Sequence, residues 1–293
     1  MVRVVFYGTS LFSIPTLQAL ADDPSVEVVG VVTQPDRPAG RHGTLTPPPV
    51  KELALALHLP VFQFEQVKSD EAYATLQTVQ ADVAVVASFG QIISQRVLAL
   101  YPRGVLNVHP SLLPVYRGAI PMTAAIRDGL KETGITIMLM DALMDHGPIL
   151  LQAASAIEPS DTTEQLSERL AKQGAELLLQ ALHGYLAGTL QPVEQDHTQA
   201  TFVKLLSRED GLLDLSKSAQ ELERLIRAYT PWPGTYTIHQ GKRLKVLRAH
   251  VGEASSYEFS LTCGDGSALV LDEVQPEGKK PMSGEAFARG LRN

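Results

Sequence analysis

Alternation is the feature that constrains this chain most. Over the first 190 residues or so, short β-branched and small apolar runs alternate with amphipathic runs of helical spacing. That is the pattern of a parallel α/β sheet. The strand-like runs are 2–7, 26–33, 61–64, 82–88, 104–108 and 134–140, and helical runs lie near 13–21, 49–58, 70–79, 94–100 and 120–128. Runs 26–33 and 82–88 are almost continuously apolar, as expected of strands covered by helices on both faces. After Pro159-Ser-Asp-Thr162 a capped amphipathic helix extends to about Ala187, with Leu166, Leu170, Ala171, Leu177, Leu178, Ala181 and Leu182 on one face. Residues 190–204 carry Pro192 and weak periodicity and read as a linker. A helix near Ser218–Tyr229 then ends at Pro231-Trp-Pro-Gly234, and Gly-punctuated strands follow at 235–240, 244–250, 257–263 and 268–274. These suggest a small β-barrel. The expected division is thus 1–189, 190–204 and 205–293.

At 293 residues there is room for two domains, and 44% hydrophobic with 19% charged residues describes an ordinary globular protein. A single cysteine, Cys263, excludes a disulfide framework and a cysteine-based zinc site. No apolar run approaches membrane-spanning length, and Val2–Gly8 already reads as a buried strand rather than a leader, so a cytoplasmic location is expected. The net charge of −7 argues against wholesale nucleic-acid binding. It is uneven, however: residues 205–293 hold 12 basic and 12 acidic residues, and the span Arg224–Gly252 holds six basic residues and no acidic one. That stripe, Arg224, Arg227, Lys242, Arg243, Lys245 and Arg248, suits either a phosphate-binding surface or a solvated face.

Chemistry concentrates in Asn107-Val-His109-Pro-Ser-Leu-Leu-Pro114 and in Met140-Asp-Ala-Leu-Met-Asp-His-Gly147. Side chains alternate along a strand, so Asn107 and His109 point to one face. They sit at the carboxyl end of a buried strand, where open α/β sheets place ligands. Asn offers a neutral amide donor and His a proton switch, while Asp145, arriving from the next loop, would orient the His. The set suits acyl transfer to an amine without a covalent intermediate; the same Asn–His pair would also serve to cap loop backbone. His146 competes with His109 as the partner of Asp145. Ser111 lacks the strained GxSxG elbow of a nucleophile, so it reads as a ligand contact or turn residue. In Ser88-Phe-Gly-Gln-Ile-Ile93, Gly90 lets backbone approach a flat ligand that Phe89 and Ile92 would wall, although a structural turn uses the same residues. Gly8-Thr-Ser10 supplies only one glycine where a dinucleotide fold needs several, and neither GxxxxGK[ST] nor HExxH occurs.

These residues resemble the methionyl-tRNA formyltransferases, within the 10-formyltetrahydrofolate-dependent formyltransferases. The likeness runs through Thr33-Gln-Pro-Asp-Arg-Pro-Ala-Gly-Arg41, Asn107–Pro114, Arg117-Gly-Ala119 and Glu132-Thr-Gly-Ile-Thr-Ile-Met138. It continues through Asp145-His-Gly147, Ala228-Tyr-Thr-Pro-Trp-Pro233 and Gly278-Lys-Lys-Pro-Met-Ser283. The resemblance implies a Rossmann-like formyltransferase domain followed by an OB-like barrel that helps hold a tRNA acceptor arm. It implies Asn107, His109 and Asp145 as the catalytic trio, and Phe89, Gly90, Ile92, Ser111, Leu112, Leu113 and Pro114 around the folate. Arg37 and Arg41 of the Pro-rich loop, with Lys242, Arg243, Lys245 and Arg248, would contact initiator Met-tRNA. The implied co-substrate is 10-formyltetrahydrofolate, with tetrahydrofolate as product and no metal needed; no membrane partner is expected, and a monomer is preferred because nothing in the sequence resembles an association helix. Departures are His42-Gly-Thr44, which leaves the loop fewer phosphate contacts, Val115-Tyr116 beside the folate segment, His146 after Asp145, and a barrel shortened between Val251 and Leu261. The alternatives are a formyltransferase for a small amine (an amino-sugar nucleotide or glycinamide ribonucleotide), and a non-catalytic folate- or RNA-binding protein.

Overall fold

The computed structural model describes all residues except 40–42, 254, 256 and 292–293. The chain forms two compact units. One gathers Met1–Gly118, Gly134–Ser155 and Ser167–Phe202; the other gathers Ala119–Thr133, Ala156–Leu166 and Val203–Asn293. Spatial grouping therefore interleaves segments that the sequence pattern reads as successive blocks.

The first unit is built on a seven-stranded sheet. In chain order its strands are Val2–Gly8, Val26–Thr33, Val61–Gln63, Val83–Ala87, Val105–His109, Glu132–Leu139 and Ile149–Ala156. Across the sheet the spatial order is seventh, sixth, fifth, fourth, first, second, third. The first five strands are mutually parallel, as the alternation predicts. Glu132–Leu139 runs antiparallel to Val105–His109, with Asn107 opposite Met138 and His109 opposite Thr136, so the sheet is mixed rather than wholly parallel. The seventh strand has no counterpart in the sequence reading. Its sequence, ILLQAASA, alternates in burial but is rich in Ala, a weak strand former. Val83–Ala87 is buried at every position, which accounts for its unbroken apolar sequence.

Helices form where capping and apolar spacing agree. Ser69 accepts the Ala72 N–H ahead of helix Asp70–Val79, whose first turn carries Asp70 and Glu71 against the positive end of the helix dipole. Helix Thr163–Leu186 buries all seven residues of its expected apolar face.

The second unit carries a five-stranded antiparallel sheet: Thr235–His239, Lys242–Val251, Ala268–Pro276 and Ser260–Thr262 in spatial order, with Met282–Ser283 also on Ala268–Pro276. Gln240 and Gly241, at φ 48° and 74°, form the two-residue turn of positive φ that joins the first pair. Among the described residues the sheet does not close into a barrel, in keeping with the expected shortening. Helix Ala219–Ala228 starts with a full capping box between Ser218 and Glu221. A short helix, Gly284–Gly290, follows the last strand and was too short and Gly-flanked to show in the sequence.

In the core of the first unit the hydroxyls of Tyr7 and Tyr101 meet at 2.5 Å, both residues buried. Burial pushes the Tyr101 phenol up to about 12, against a smaller opposite pull from the bond to Tyr7, and burial raises Tyr7 as well. A phenol whose folded value is raised contributes stability that is complete below the ordinary tyrosine value. That contribution is lost as pH climbs from about 10 to about 12. Tyr101→Phe should destabilise by about 1–3 kcal/mol because it strands the Tyr7 hydroxyl, and adding Tyr7→Phe should cost less than the sum of the two. Urea unfolding of the two single variants and the double variant measures this.

Candidate active site

Ligands of open α/β sheets sit outside the carboxyl ends of the strands where the strand order reverses. Here the reversal lies between Val2–Gly8 and Val83–Ala87, which end level with Gly8 opposite Ala87. The loops beyond are stitched together: Thr9 N–H donates to the Ser88 carbonyl at 3.2 Å, and the Ser10 hydroxyl to the Ser88 hydroxyl at 2.8 Å. Thr9 Oγ1 and Gln34 Nε2 both donate to the Phe89 carbonyl, at 2.8 and 3.1 Å. Gly90 has φ 81°, a left-handed conformation that strains any side chain, and a Cβ there would push the end of the Gln34 amide aside. Phe89 is buried edge-on against Tyr7, whereas Ile92 is 79% exposed. The turn thus presents an exposed glycine, Gly90, near an apolar side chain left in water.

One strand further on, the predicted trio is assembled. Asn107 and His109 are buried on one face of their strand. Asp145 Oδ1 lies 3.3 Å from Asn107 Nδ2 and 3.6 Å from His109 Nδ1. Its Oδ2 accepts the Gly118 N–H at 2.7 Å, and its own φ of 48° is left-handed. His109 Nε2 faces the Tyr116 carbonyl at 3.0 Å, so the ring is held between two oxygen acceptors. His146 does not compete for Asp145; its Nδ1 pairs with Asp141 at 2.6 Å. Gly147 closes the loop because a Cβ there would meet the Leu139 carbonyl.

The segment after His109 is held from beneath. Ser111 Oγ donates to the Val115 carbonyl at 2.6 Å, a turn bond rather than an outward-facing group. Thr136 Oγ1 donates to the Ser111 carbonyl at 2.6 Å and accepts from Leu113 N–H and Gln152 Nε2 at 3.1 and 2.9 Å. Gln152 also donates to the Leu113 carbonyl at 2.9 Å. Leu113 is buried, and Leu112 and Pro114 are partly so. Sequence reasoning missed Thr136, Gln152 and Gln195, the last of which donates to the Asp145 carbonyl at 2.9 Å. A hydroxyl inside the apolar run Gly134-Ile-Thr-Ile-Met138 was a signal for the first; nothing marked the other two.

The Pro-rich loop forms a hairpin, Arg37–Ala39 with Thr44–Thr46. Its root is clasped by Asp36, whose two oxygens each lie 2.8 Å from Lys51 Nζ, with Gln63 Nε2 on one of them at 2.8 Å. Hydrogen bonds from Gln63 and Lys51 hold the Asp36 carboxyl below its ordinary value. Arg37 pairs with Glu65 at 2.7 Å on the surface; Arg41 and His42 lie outside the described residues. In the second unit Lys242, Lys245 and Arg248 are exposed along one strand. Arg243 stacks on Tyr236, 3.5 Å from the ring centre. Two members of the stripe are partly neutralised: Arg227 by Glu223 at 2.5 Å and Arg248 by Asp272 at 3.9 Å. No group of three or more potential metal ligands occurs among the described residues.

Residues 2–182 match the family profile described as formyl transferase, and residues 205–292 match formyl transferase, C-terminal domain. A methionyl-tRNA formyltransferase of Chloroflexus aurantiacus is 45% identical over 301 residues, covering 99% of this chain and 97% of that one. One from Anaeromyxobacter dehalogenans is 42% identical over 304 residues with the same coverage. In fold, the chain is similar to the N-formyltransferase of Helicobacter canadensis, at a TM-score of 0.68 and 16% identity, over 94% of this chain and all of that one. It is similar also to glycinamide ribonucleotide transformylase 1 of Symbiobacterium toebii, at 0.55 and 22%, over 66% and 95% of the two chains.

The Asp36 clasp predicts a discrete effect on the hairpin. Asp36→Ala should raise the rate of limited proteolysis within residues 37–46 at neutral pH while leaving cleavage elsewhere unchanged, as read by mass spectrometry of the fragments.

Proposed function

Because this chain belongs to the formyl transferase family, and within it to the methionyl-tRNA formyltransferases, we propose that it formylates the α-amine of Met-tRNA in translation initiation, with 10-formyltetrahydrofolate as donor. The observation that carries this reading is the Asn107–His109–Asp145 cluster, in a chain that aligns over nearly its full length with those relatives. The edge fits a flat donor: Gly90 leaves the turn without a side chain, and the exposed Ile92 gives an apolar face. Phe89, Gly90, Ile92 and Leu112–Pro114 would hold it, and Ser111 would shape the turn.

The amine nitrogen bonds to the formyl carbon, the bond from that carbon to N10 breaks, and the amine proton leaves as N10 gains one. Charge grows on the formyl oxygen meanwhile, and preorganised donors aimed there are the usual main source of acceleration. Asn107 has one amide hydrogen toward Asp145 and a second for that oxygen. His109 donates its Nε2–H to the Tyr116 carbonyl, so the formyl oxygen would take the place of that carbonyl. Tyr116, at φ 60° in a short loop, is the group that would yield. Asp145 orients His109, and either Asp145 or an ordered water takes the amine proton.

The preference for initiator tRNA, the roles of Arg37, Arg41, Lys242, Arg243, Lys245 and Arg248 as phosphate contacts, the division at 190–204, the monomeric state and the cytoplasmic location are parts of the same reading. A small amine as acceptor would leave the Pro-rich hairpin and the basic strand without a task.

Asn107→Ala or His109→Ala should each lower kcat about 100- to 1000-fold, and near-wild-type turnover in His109→Ala would refute its role. Charged initiator Met-tRNA should be formylated in strong preference to Met-elongator tRNA; transfer to neither, with folate still bound, points to the small-amine reading. Neutralising Lys242 and Lys245 together should flatten the dependence of log K on log salt by about one for each phosphate no longer neutralised. An unchanged slope would make the strand a solvated face.

A further inference from the structure

Gln195 grips the loop that carries Asp145. It is 5% exposed, and its amide nitrogen donates to the Asp145 carbonyl at 2.9 Å and the Gly147 carbonyl at 2.7 Å. Its amide oxygen accepts from Arg117 Nε at 3.2 Å and Nη2 at 2.6 Å, Arg117 itself being 3% exposed. A guanidinium only donates, so the amide oxygen must face Arg117 and the two amide hydrogens must face the carbonyls. A flipped amide would set donors against donors and oxygen against two oxygens. The amide is thereby used on both its donor and its acceptor side.

This grip bears on a strained residue. Asp145 holds φ 48° without being glycine, a conformation that persists only where the surroundings over-determine it. The strap of residues 193–201 that carries Gln195 also touches the loop and its flanks elsewhere. Val193 and Ile149 exchange both backbone hydrogen bonds at 2.8 Å, and the His197 ring stacks on His146 with centroids 4.1 Å apart and planes 8° apart. Thr201 accepts the Tyr116 N–H on its hydroxyl and the Arg117 N–H on its carbonyl, both at 2.8 Å. The strap thus reaches the segment that supplies the Tyr116 carbonyl to His109 and the Gly118 N–H to Asp145.

We propose that Gln195 is a positioning residue for Asp145: through the carbonyls of residues 145 and 147 it fixes the left-handed turn that aims the carboxylate at Asn107 and His109. This rests on the formyl-transfer reading of the same site. Displacement of a reacting group's partner by about 1 Å is enough to lose some 100-fold in rate. Ground-state binding of either substrate does not depend on that aim, so the effect belongs in kcat and not in KM.

Gln195→Glu separates this role from simple support of the fold. The carboxylate keeps the length and pairs with Arg117, but it has no hydrogens for the two carbonyls. Its kcat should fall about 10- to 100-fold, with KM for Met-tRNA and for 10-formyltetrahydrofolate within twofold of wild type and the unfolding midpoint within a few degrees. Gln195→Met, which keeps volume without the amide, should show the same kcat loss. Placed on Asp145→Ala, Gln195→Glu should cause no further loss, because it acts through Asp145. The proposal is overturned if Gln195→Glu stays within twofold of wild-type kcat, or if its full effect persists on Asp145→Ala. Absence of formyl transfer by the wild-type enzyme would instead refute the functional reading.

Discussion

A carboxylate largely withdrawn from water must be met by donors, and the first unit is arranged around that demand at Asp145. Its side chain is 15% exposed. Unpaired, a charge so placed would be costly. The Gly118 amide, the Asn107 amide and the His109 ring converge on it from two different segments. Each of those is itself fixed: Asn107 and His109 by the sheet register, Gly118 by a loop that Thr201 ties down. What sets the geometry is mostly backbone, and that backbone is itself held by side chains such as Thr201 and Gln195.

The mixed sheet matters for the same reason. Because Glu132–Leu139 runs antiparallel to the strand of Asn107 and His109, Thr136 comes to lie opposite His109. From there its hydroxyl joins Ser111, Leu113 and Gln152 in one saturated network. A parallel strand needs a crossover before the chain returns. Between the sixth and seventh strands the chain turns back at 140–148, where Leu139 N–H meets the Pro148 carbonyl. The sixth strand ends with Leu139 opposite Leu106, so it is the loop 140–148 that brings Asp145, 36 positions after His109, back beside it.

Much of this was legible in the sequence, and the limits are physical. Period and apolar content located five parallel strands and the long helix, since burial on both faces leaves an unbroken apolar run. Strand direction leaves no trace in such a run, so the sixth strand's reversal stayed hidden. Ile149–Ala156 was lost because Ala and Ser carry little strand signal. Asn107, His109 and Asp145 were readable as polar residues at strand ends and in a characteristic motif. Gln195 was not, for an amide in a weakly periodic stretch with Pro192 looks like any linker residue. Its importance lies in partners 50 and 78 positions away.

Charge poses a different constraint. A chain of net charge −7 does not draw in a polyanion as a whole, so any attraction must be local. The basic stripe is less free than its sequence suggests: Arg227 is committed to Glu223, Arg248 shares Asp272 with His250, and Arg243 is laid on Tyr236. Lys242 and Lys245 keep exposed ammonium groups for long-range attraction. Few phosphate contacts mean a shallow salt dependence and weak non-specific binding. On the proposed reading, selectivity for one tRNA comes from shape and from the hairpin anchored by Asp36 rather than from summed charge.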